Sequence, residues 1–390
     1  MDIDLTAYFE VQLQQTVSSF HRYMYNRVSW QSRMFGLVGP RGVGKSTMIL
    51  QYIKEHRKEQ KMFYVSADHL YFSSHTLVEL VDEFAKEGGE QIFIDEIHKY
   101  ENWSRELKQI YDSHPNVKIG FTGSSVLDIY KGSADLSRRA PIFMMQGLSF
   151  REYLMLFHQI DVPVYSFKDI LERKAKLPMV AHPLPLFRDY LKRGYYPFSG
   201  EGDFELRLRQ VVNQSMEVDI PLYANMNAST GRKLKKLLAV IAQSVPFKPV
   251  MDSIATVVGV SRNVLPDYFL YLEQAGMIGQ VRDDTGGIRG VGKVEKVYLD
   301  NPSLAYLLGG EAADIGNIRE TFFYNQMRVM TDIISSRISD FEIEGKTFEV
   351  GGKRKGKKQI TDAVEGYVVK DDIEFGSGNI IPLWAFGLTY

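Results

Sequence analysis

Short apolar runs alternate with longer segments of mixed polarity over the first part of the chain. The runs are rich in branched and aromatic side chains, as buried strands are, and the segments between them place apolar residues at helical spacing. Five runs precede residue 148, at 34–38, 62–65, 91–94, 118–121 and 142–145. The alternation predicts a parallel sheet with helices on both faces, and such sheets bind ligands at the carboxyl ends of their strands.

The pattern changes after residue 147. Residues 148–204 predict helices with a proline-rich connector, and residues 205–312 contain amphipathic helices, some at helix-turn-helix spacing, before a glycine-rich basic hairpin. Residues 313–390 predict one early helix and then short strands. We therefore expect an α/β core at 1–147, a helical lid or connector at 148–204, a winged-helix-like domain at 205–312 and a small α/β domain at 313–390.

A glycine-rich loop follows the first predicted strand. It fits G-x-x-x-x-G-K-[ST] at every fixed position, and a helix-compatible segment comes after it. Glycines allow successive backbone N–H groups to point at phosphates, Lys45 can reach the β- and γ-phosphate oxygens, and the Ser46 hydroxyl can bind Mg²⁺. The predicted nucleotide-binding residues are Gly39, Pro40, Arg41, Gly42, Val43, Gly44, Lys45, Ser46 and Thr47.

Polar residues end two further predicted strands. Asp95 and Glu96 follow the third strand, where Asp95 is expected to orient Mg²⁺ and Glu96 to polarise the water that attacks the γ-phosphate. Thr122 and Ser124 end the fourth strand and are candidates for holding that water or sensing the γ-phosphate. An ordinary turn rich in Gly and Ser is the alternative for this second pair. The carboxylate pair favours an ATPase over a passive nucleotide binder.

Composition limits the remaining classes of function. The 390 residues are too many for one ordinary domain, and 44% are apolar, enough for more than one core. The formal net charge of −1 is no global signature of nucleic-acid binding, so any basic surface must be local. The sequence has no cysteine, which excludes disulfides and thiolate metal sites and fits a reducing compartment. No stretch approaches the roughly 20 apolar residues that span a bilayer, and the amino terminus lacks a signal pattern, so we expect a cytoplasmic protein without a membrane partner.

Four segments together resemble an AAA+-type P-loop ATPase of a bacterial and archaeal group whose members carry C-terminal domains of unknown function. The segments are GPRGVGKST (39–47), FIDEIHKYENW (93–103), FTGSS (121–125) and LSFREYL (148–154). The resemblance covers essentially the whole chain, but only the first half has motifs that define chemistry. It implies an α/β P-loop NTPase fold with a helical lid, and ATP and Mg²⁺ as cofactors.

The resemblance also implies roles for residues outside the loop. An arginine-bearing segment precedes the last core strand in this group, so Arg138 or Arg139 is expected to contact the γ-phosphate in cis or from a neighbouring copy. A solvated basic turn is the alternative. Gly194-Tyr195-Tyr196-Pro197 resembles the signature of the lid, which places backbone near Pro197 against the nucleotide. Rings are possible, but a monomer or a dimer is equally compatible with the sequence.

The winged-helix-like segment suggests a second class of function. Arg262 and the hairpin cations are candidates for contacting DNA, and the hairpin resembles a wing. The hairpin cations are Arg289, Lys293 and Lys296. However, the predicted recognition helix carries Asp267 and Glu273, which suit phosphate contact poorly. A packing or protein-interaction role is the alternative.

Residues 313–390 resemble a PD-(D/E)xK nuclease, in which two carboxylates hold Mg²⁺ and a lysine steadies the developing charge. The resembling residues are Glu320, Asp340, Glu349 and Lys353. Lys353 stands four positions after Glu349, not two, and the proline of the signature is missing, so an inactive remnant is expected. The basic run Lys353–Lys358 is a candidate phosphate-binding cluster, with a solvated charge run as its alternative.

Three functions follow, in order of preference. The first is Mg-dependent ATP binding and hydrolysis coupled to movement of the C-terminal modules. The second is a nucleotide-gated switch that binds DNA through the winged helix and Lys353–Lys358, and the third is a metal-dependent nuclease. A protein partner is also compatible with the sequence.

Overall fold

The first apolar runs of the chain form one parallel sheet in the computed structural model. Its strands are β1 (Met34–Val38), β2 (Met62–Ser66), β3 (Gln91–Asp95), β4 (Lys118–Gly123) and β5 (Ile142–Met144). They lie in the order β2-β3-β4-β1-β5, and every pairing is parallel. The predicted sheet is therefore confirmed, and β1, β2 and β3 are buried at every position, as strands of a covered parallel sheet are.

The structure describes residues 1–123, 136, 138–178, 180–224, 226, 228–244, 249–284, 292–310, 313–356, 358–361 and 363–390. The chain forms two compact units, Met1–Gly147 and Leu148–Tyr390. The domain boundaries predicted inside the second unit, after residues 204 and 312, remain predictions.

Four helices of the first unit accompany the sheet. They are α1 (Ile3–Gln15), α2 (Lys45–His56), α3 (Leu77–Lys86) and α4 (Trp103–Ser113). Helix α3 begins at a capping box, in which the Thr76 hydroxyl accepts from the Glu79 N–H and the Glu79 carboxylate accepts from the Thr76 N–H. Helix α2 begins directly at Lys45, so the glycine-rich loop connects the end of β1 to the amino end of a helix.

The second unit begins with helices. They are α5 (Phe150–His158), α6 (Phe167–Leu171), α7 (Leu184–Asp189), α8 (Phe204–Gln214), α9 (Ile220–Tyr223), α10 (Ala228–Ser244), α11 (Met251–Val258), α12 (Leu265–Gln274), α13 (Pro302–Gly309) and α14 (Ile315–Met327). Pro197–Gly200 and Leu383–Leu388 are 3₁₀-helical. In the described part of the chain, no helix combines the length and the apolar character needed to cross a membrane.

Two sheets complete the second unit. Strands β6 (Ile278–Arg282) and β7 (Val294–Leu299) form an antiparallel pair after α12. The other sheet has the order β12-β11-β10-β9-β8. Its strands are β8 (Ile333–Ser335), β9 (Phe341–Ile343), β10 (Lys346–Gly351), β11 (Gly366–Lys370) and β12 (Ile380–Pro382). Strands β8 to β10 pair antiparallel and β10 to β12 pair parallel.

Aromatic side chains of α14 pack against both ends of the second unit. Phe322 lies edge-on to Phe187 of α7, with ring centres 4.8 Å apart. Phe323 packs on Phe341 of β9 and on Phe386 near the carboxyl terminus. All five side chains are fully buried, so α14 joins the helices of residues 148–204 to the C-terminal sheet through one apolar core.

Candidate nucleotide-binding site

The loop after β1 has the backbone that its glycines permit. Gly42 and Gly44 have φ angles of 81° and 95°, which side chains with a Cβ rarely adopt. A Cβ on Gly39 would lie 2.1 Å from the carbonyl oxygen of Met145, so only glycine fits between β1 and the chain that follows β5. These three glycines therefore let the loop turn back onto the amino end of α2, where backbone N–H groups favour phosphate.

Lys45 is buried inside this loop. Its Nζ donates to the carbonyl oxygens of Gly39 and Pro40, at 2.9 and 3.0 Å, and the residue is 5% exposed. Burial lowers the pKa of the Lys45 ammonium, and the nearby carboxylates of Glu96 and Asp95 oppose that effect. The Lys45 ammonium thus lies in the loop and near both predicted acids, Asp95 and Glu96.

Thr122 connects the ends of β3 and β4. Its hydroxyl donates to Oδ1 of Asp95 and accepts from the backbone N–H of Glu96 at 3.0 Å. Thr122 is fully buried and lies opposite Leu37 of β1 in the sheet. The structure therefore places Thr122 where it orients both acids, and its contact with the attacking water remains a prediction. Ser124, its predicted alternative, lies outside the described residues.

Glu96 begins a short turn with an unusual backbone. Its φ angle is 50°, in the left-handed region that a non-glycine residue occupies only at a cost. Its Oε2 lies 3.4 Å from Nε2 of His98, whose side chain is only 5% exposed. The strained backbone, the Thr122 hydroxyl and the His98 ring together define where this carboxylate points.

Tyr64 is a site residue that the sequence patterns did not identify. It lies on β2, and its hydroxyl donates to Oδ2 of Asp95 at 2.8 Å and lies next to the Ser46 side chain. Burial and the Asp95 carboxylate raise the pKa of this phenol well above its usual value, so it stays a neutral donor. Tyr64 thus joins the two residues predicted to hold Mg²⁺. Its position follows from the pairing of β2 with β3, which no local motif encodes.

Arg22 is a second residue that motif analysis missed. Its guanidinium is buried, donates to the carbonyl oxygen of Val43 in the loop, and donates to that of Gln146 at 2.8 Å. The Gln146 N–H in turn donates to the Tyr23 hydroxyl at 3.1 Å. The segment before β1 therefore ties the phosphate loop to the chain that follows β5.

Arg139 lies at the amino ends of the strands, whereas the loop lies at their carboxyl ends. Its guanidinium pairs with Asp112 near the end of α4, at 3.2 Å, and both Arg138 and Arg139 precede the amino end of β5. Because the strands are parallel, the amino end of β5 is separated from the end of the sheet that carries the loop by the length of β5, about 10 Å at ~3.3 Å per residue. The contact of Arg138 or Arg139 with the γ-phosphate, in cis or from a neighbouring copy, therefore remains a prediction.

The lid residue Pro197 lies in the second unit, in the 3₁₀ helix Pro197–Gly200. The preceding glycine has a packing reason, since a Cβ on Gly194 would lie 2.4 Å from the Tyr190 ring. Tyr195 and Tyr196 are fully buried. The predicted contact of Pro197 with a nucleotide remains a prediction.

The carboxylates of the nuclease-like segment are each satisfied within the second unit. Glu320 accepts from the Tyr298 hydroxyl at 2.7 Å, and Asp340 pairs with Lys296 at 3.3 Å. Glu349 is fully buried and pairs with Lys355. The lysine that pairs with Glu349 is Lys355 and not the resembling Lys353, because the strand ends at Gly351 and the turn that follows brings Lys355 back over it.

Glu320 has a pKa shifted towards neutrality. Burial raises the pKa of its carboxyl to about 7, and the Asp340 carboxylate acts in the same direction. No group of three or more His, Cys, Asp or Glu side chains in the described ranges has the arrangement of a metal site.

Three predicted DNA contacts have acidic partners: Arg262 pairs with Asp252, Lys293 with Glu295 and Lys296 with Asp340. Arg289 lies outside the described residues.

Residues 31–154 match a family described as AAA domain. The first unit is thus similar to AAA-type ATPases. The match includes the loop, both acids and Thr122, and it supports nucleotide binding and hydrolysis by this unit. Residues 184–314 match a domain of unknown function (DUF8612). No curated protein matches the chain significantly.

Three solved structures are distantly similar to this chain. The Walker-type ATPase PABY2304 of Pyrococcus abyssi is 14% identical, with a TM-score of 0.48, over 74% of this chain and 95% of that one. AMPPCP-bound DnaA from Aquifex aeolicus is 12% identical, with a TM-score of 0.26, over 70% and 89%. The S. cerevisiae Hsp104–ADP complex is 16% identical, with a TM-score of 0.30, over 68% and 37%.

Proposed function

We propose that the first unit binds Mg-ATP at the loop after β1 and hydrolyses it. The observation that carries the proposal is the hydrogen-bonded network at the carboxyl ends of β2, β3 and β4, in which Tyr64 and Thr122 hold Asp95 from both sides. Lys45 lies beside this network with its charge buried. A positive group, an oriented carboxylate and a phosphate-type loop at one edge of a sheet suit a nucleotide triphosphate.

The donor set fits Mg²⁺. This ion prefers oxygen ligands and usually keeps several waters, so a serine hydroxyl and one carboxylate beside the phosphates suffice. Tyr64 bridges Ser46 and Asp95, which are the two residues we propose to hold the ion. When bound, Mg²⁺ neutralises part of the charge on the β- and γ-phosphates.

The remaining steps fall to residues of the chain. Backbone N–H groups of the loop bind the phosphates, and Lys45 exchanges its carbonyl acceptors for phosphate oxygens. Glu96 accepts a proton from the attacking water, with Thr122 and His98 setting its direction. Loss of the γ-phosphate therefore changes the charge beside the hydrogen-bonded network of Asp95 and Thr122. Through this change the network senses whether the γ-phosphate is present.

We further propose that residues 205–312 contain a winged-helix-like domain, since three helices within 228–274 precede an antiparallel pair of strands. ATP-driven movement of this and the C-terminal module remains part of the proposal. DNA binding has less support than a protein-interaction role, because Arg262, Lys293 and Lys296 each have an acidic partner. A salt-dependent gel shift at low ionic strength would favour DNA.

Binding of a labelled ATP analogue tests the first step. Replacing Lys45 by alanine removes the buried cation and its place among the phosphates, so we expect binding to weaken at least ~100-fold, as loss of a charge-assisted contact in a buried site predicts. Lys54→Ala is the matched control, because this lysine of α2 donates to the Thr16 carbonyl, away from the loop. Equal weakening in both variants would contradict the proposed site.

A further inference from the structure

A cavity of about 340 Å³ lies within the second unit, outside every residue set that the motifs identified. Its walls come from α6 and the segment 173–183 on one side, and from residues 374–385 on the other. The lining is mainly apolar and includes Ile170, Leu177, Pro183, Ile381, Pro382 and Trp384. This size lies at the lower end of the roughly 300–1,000 Å³ found for pockets that hold small organic molecules.

Polar contacts join the two walls around the cavity. The Tyr165 N–H donates to the Leu388 carbonyl oxygen at 3.0 Å, and Arg188 pairs with Asp372 at 2.8 Å. Arg173 donates to the carbonyl oxygen of Gly378. These contacts fix the spacing between the two walls, so the cavity is already formed before a ligand enters. Little free energy of binding is then spent on ordering the protein.

Positively charged side chains outnumber negatively charged ones in the described lining of the cavity. Arg173 and Lys176 line it and are exposed, and neither forms an ion pair with a carboxylate in the part of the chain that the structure describes. The acceptor of Arg173 is a neutral carbonyl, which leaves its charge uncompensated. Glu374, the one acidic residue of the described lining, contacts His182 at 3.0 Å, and this imidazole does not cancel its charge unless it is protonated. Two cations therefore face one carboxylate, and the net charge at the rim of this apolar cavity is positive.

We propose that this cavity binds a small carboxylic acid with an apolar body, of the aliphatic or aromatic type. The apolar body lies against Trp384 and the proline and aliphatic residues of the walls, and the carboxylate lies at the rim beside Arg173 and Lys176. Burial of the body supplies the free energy of binding, and the two cations select an anion over a neutral molecule of the same shape. The proposal does not rest on ATP hydrolysis by the first unit.

Isothermal titration of the full chain with octanoate and with 1-octanol tests the ligand class. We expect saturable binding of one octanoate, and binding of 1-octanol several-fold weaker. Lys176→Gln and Arg173→Asn should each weaken octanoate about threefold, the effect of one partly exposed ion pair. Lys168→Gln is the matched control, since this lysine is 81% exposed and does not line the cavity. Absence of saturable octanoate binding, or equal affinity for both compounds in every variant, would overturn the proposal.

Tryptophan emission tests the location. The chain has three tryptophans, at positions 30, 103 and 384, and only Trp384 lies in the second unit. We expect octanoate to change the emission of the wild type and to leave that of Trp384→Phe unchanged, with binding still detectable by calorimetry. An emission change that persists in Trp384→Phe would place the octanoate site elsewhere and overturn the assignment to this cavity.

Discussion

Two groups of carboxylates in this chain, one in each unit, differ in their hydrogen-bond and ion-pair partners. In the first unit, Asp95 accepts hydrogen bonds from two neutral hydroxyls, those of Tyr64 and Thr122. In the second unit, Glu349 and Asp340 pair with Lys355 and Lys296. Neutral donors orient a carboxylate and leave its charge available to a cation, whereas a lysine neutralises it. The first group therefore suits the bound ion that we propose, and the second suits a structural role.

This difference explains why similar residue types support different conclusions. The second group resembles a nuclease centre in sequence, yet two of its carboxylates already pair with lysines. The first group has only one carboxylate that we propose as a ligand of Mg²⁺. What distinguishes it is the neutral network around Asp95 and the phosphate-type loop beside it.

The largest stability effect should come from the second group. Removing the carboxylate in Glu349→Ala leaves the Lys355 ammonium without its ion-pair partner and removes one of the two acceptors of the Ser339 hydroxyl. We expect the second unit to lose about 3 kcal/mol of unfolding free energy, measured by urea denaturation. The control is Glu365→Ala, which removes the exposed pair with Lys346 and should cost under ~1 kcal/mol. Equal, small losses would show that Glu349–Lys355 is not a structural pair.

Glu320 should make the same unit sensitive to pH. Its pKa is raised to about 7 from an ordinary value of 4.5, so the folded state holds a proton that the unfolded state releases. The resulting stability is fully present below pH 4.5 and is lost as the pH rises through 7, by roughly 2–3 kcal/mol.

Urea midpoints at pH 5 and pH 8 measure this effect, with Glu320→Gln as the reference. We expect the wild type and the variant to be similarly stable at pH 5 and the variant to be more stable at pH 8. A wild type that gains stability relative to Glu320→Gln between these pH values would contradict the buried, proton-holding carboxyl.

A smaller effect than these stability losses is predicted for the neutral network of the first unit. Tyr64→Phe keeps the ring and removes the hydroxyl that joins Ser46 to Asp95. We expect the Mg²⁺ concentration for half-maximal ATP turnover to rise about tenfold, as loss of a second-sphere contact to a metal ligand does. Tyr52→Phe, which removes a buried hydroxyl bonded to Gln31, should leave it unchanged. An unaltered Mg²⁺ requirement in Tyr64→Phe would show that the phenol does not position the ion.

Local motifs were sufficient for the residues that adjoin one another in sequence. The loop from Gly39 to Thr47 and the Asp95–Glu96 pair could be assigned because phosphate binding imposes a fixed spacing on them. The parallel sheet could be predicted from the alternation of apolar runs, and the structure confirms it.

Residues that meet only through the tertiary structure could not be found this way. Tyr64 reaches Asp95 because β2 lies beside β3, and Arg22 reaches Val43 from a segment before β1. Lys355 replaces Lys353 because the chain turns after Gly351, whose missing Cβ leaves room for the lysine side chain. The spacing of residues along a strand does not predict a turn that brings a later residue back over that strand.

The central claim is that the first unit hydrolyses ATP with Glu96 as the residue that accepts the proton from water. The most direct measurement is steady-state ATP turnover of the wild type and of Glu96→Gln, together with binding of a labelled ATP analogue to both. Glutamine keeps the shape of the side chain and cannot accept the proton, so we predict retained binding and turnover reduced at least ~100-fold. Equal turnover in the two proteins would contradict the role assigned to Glu96.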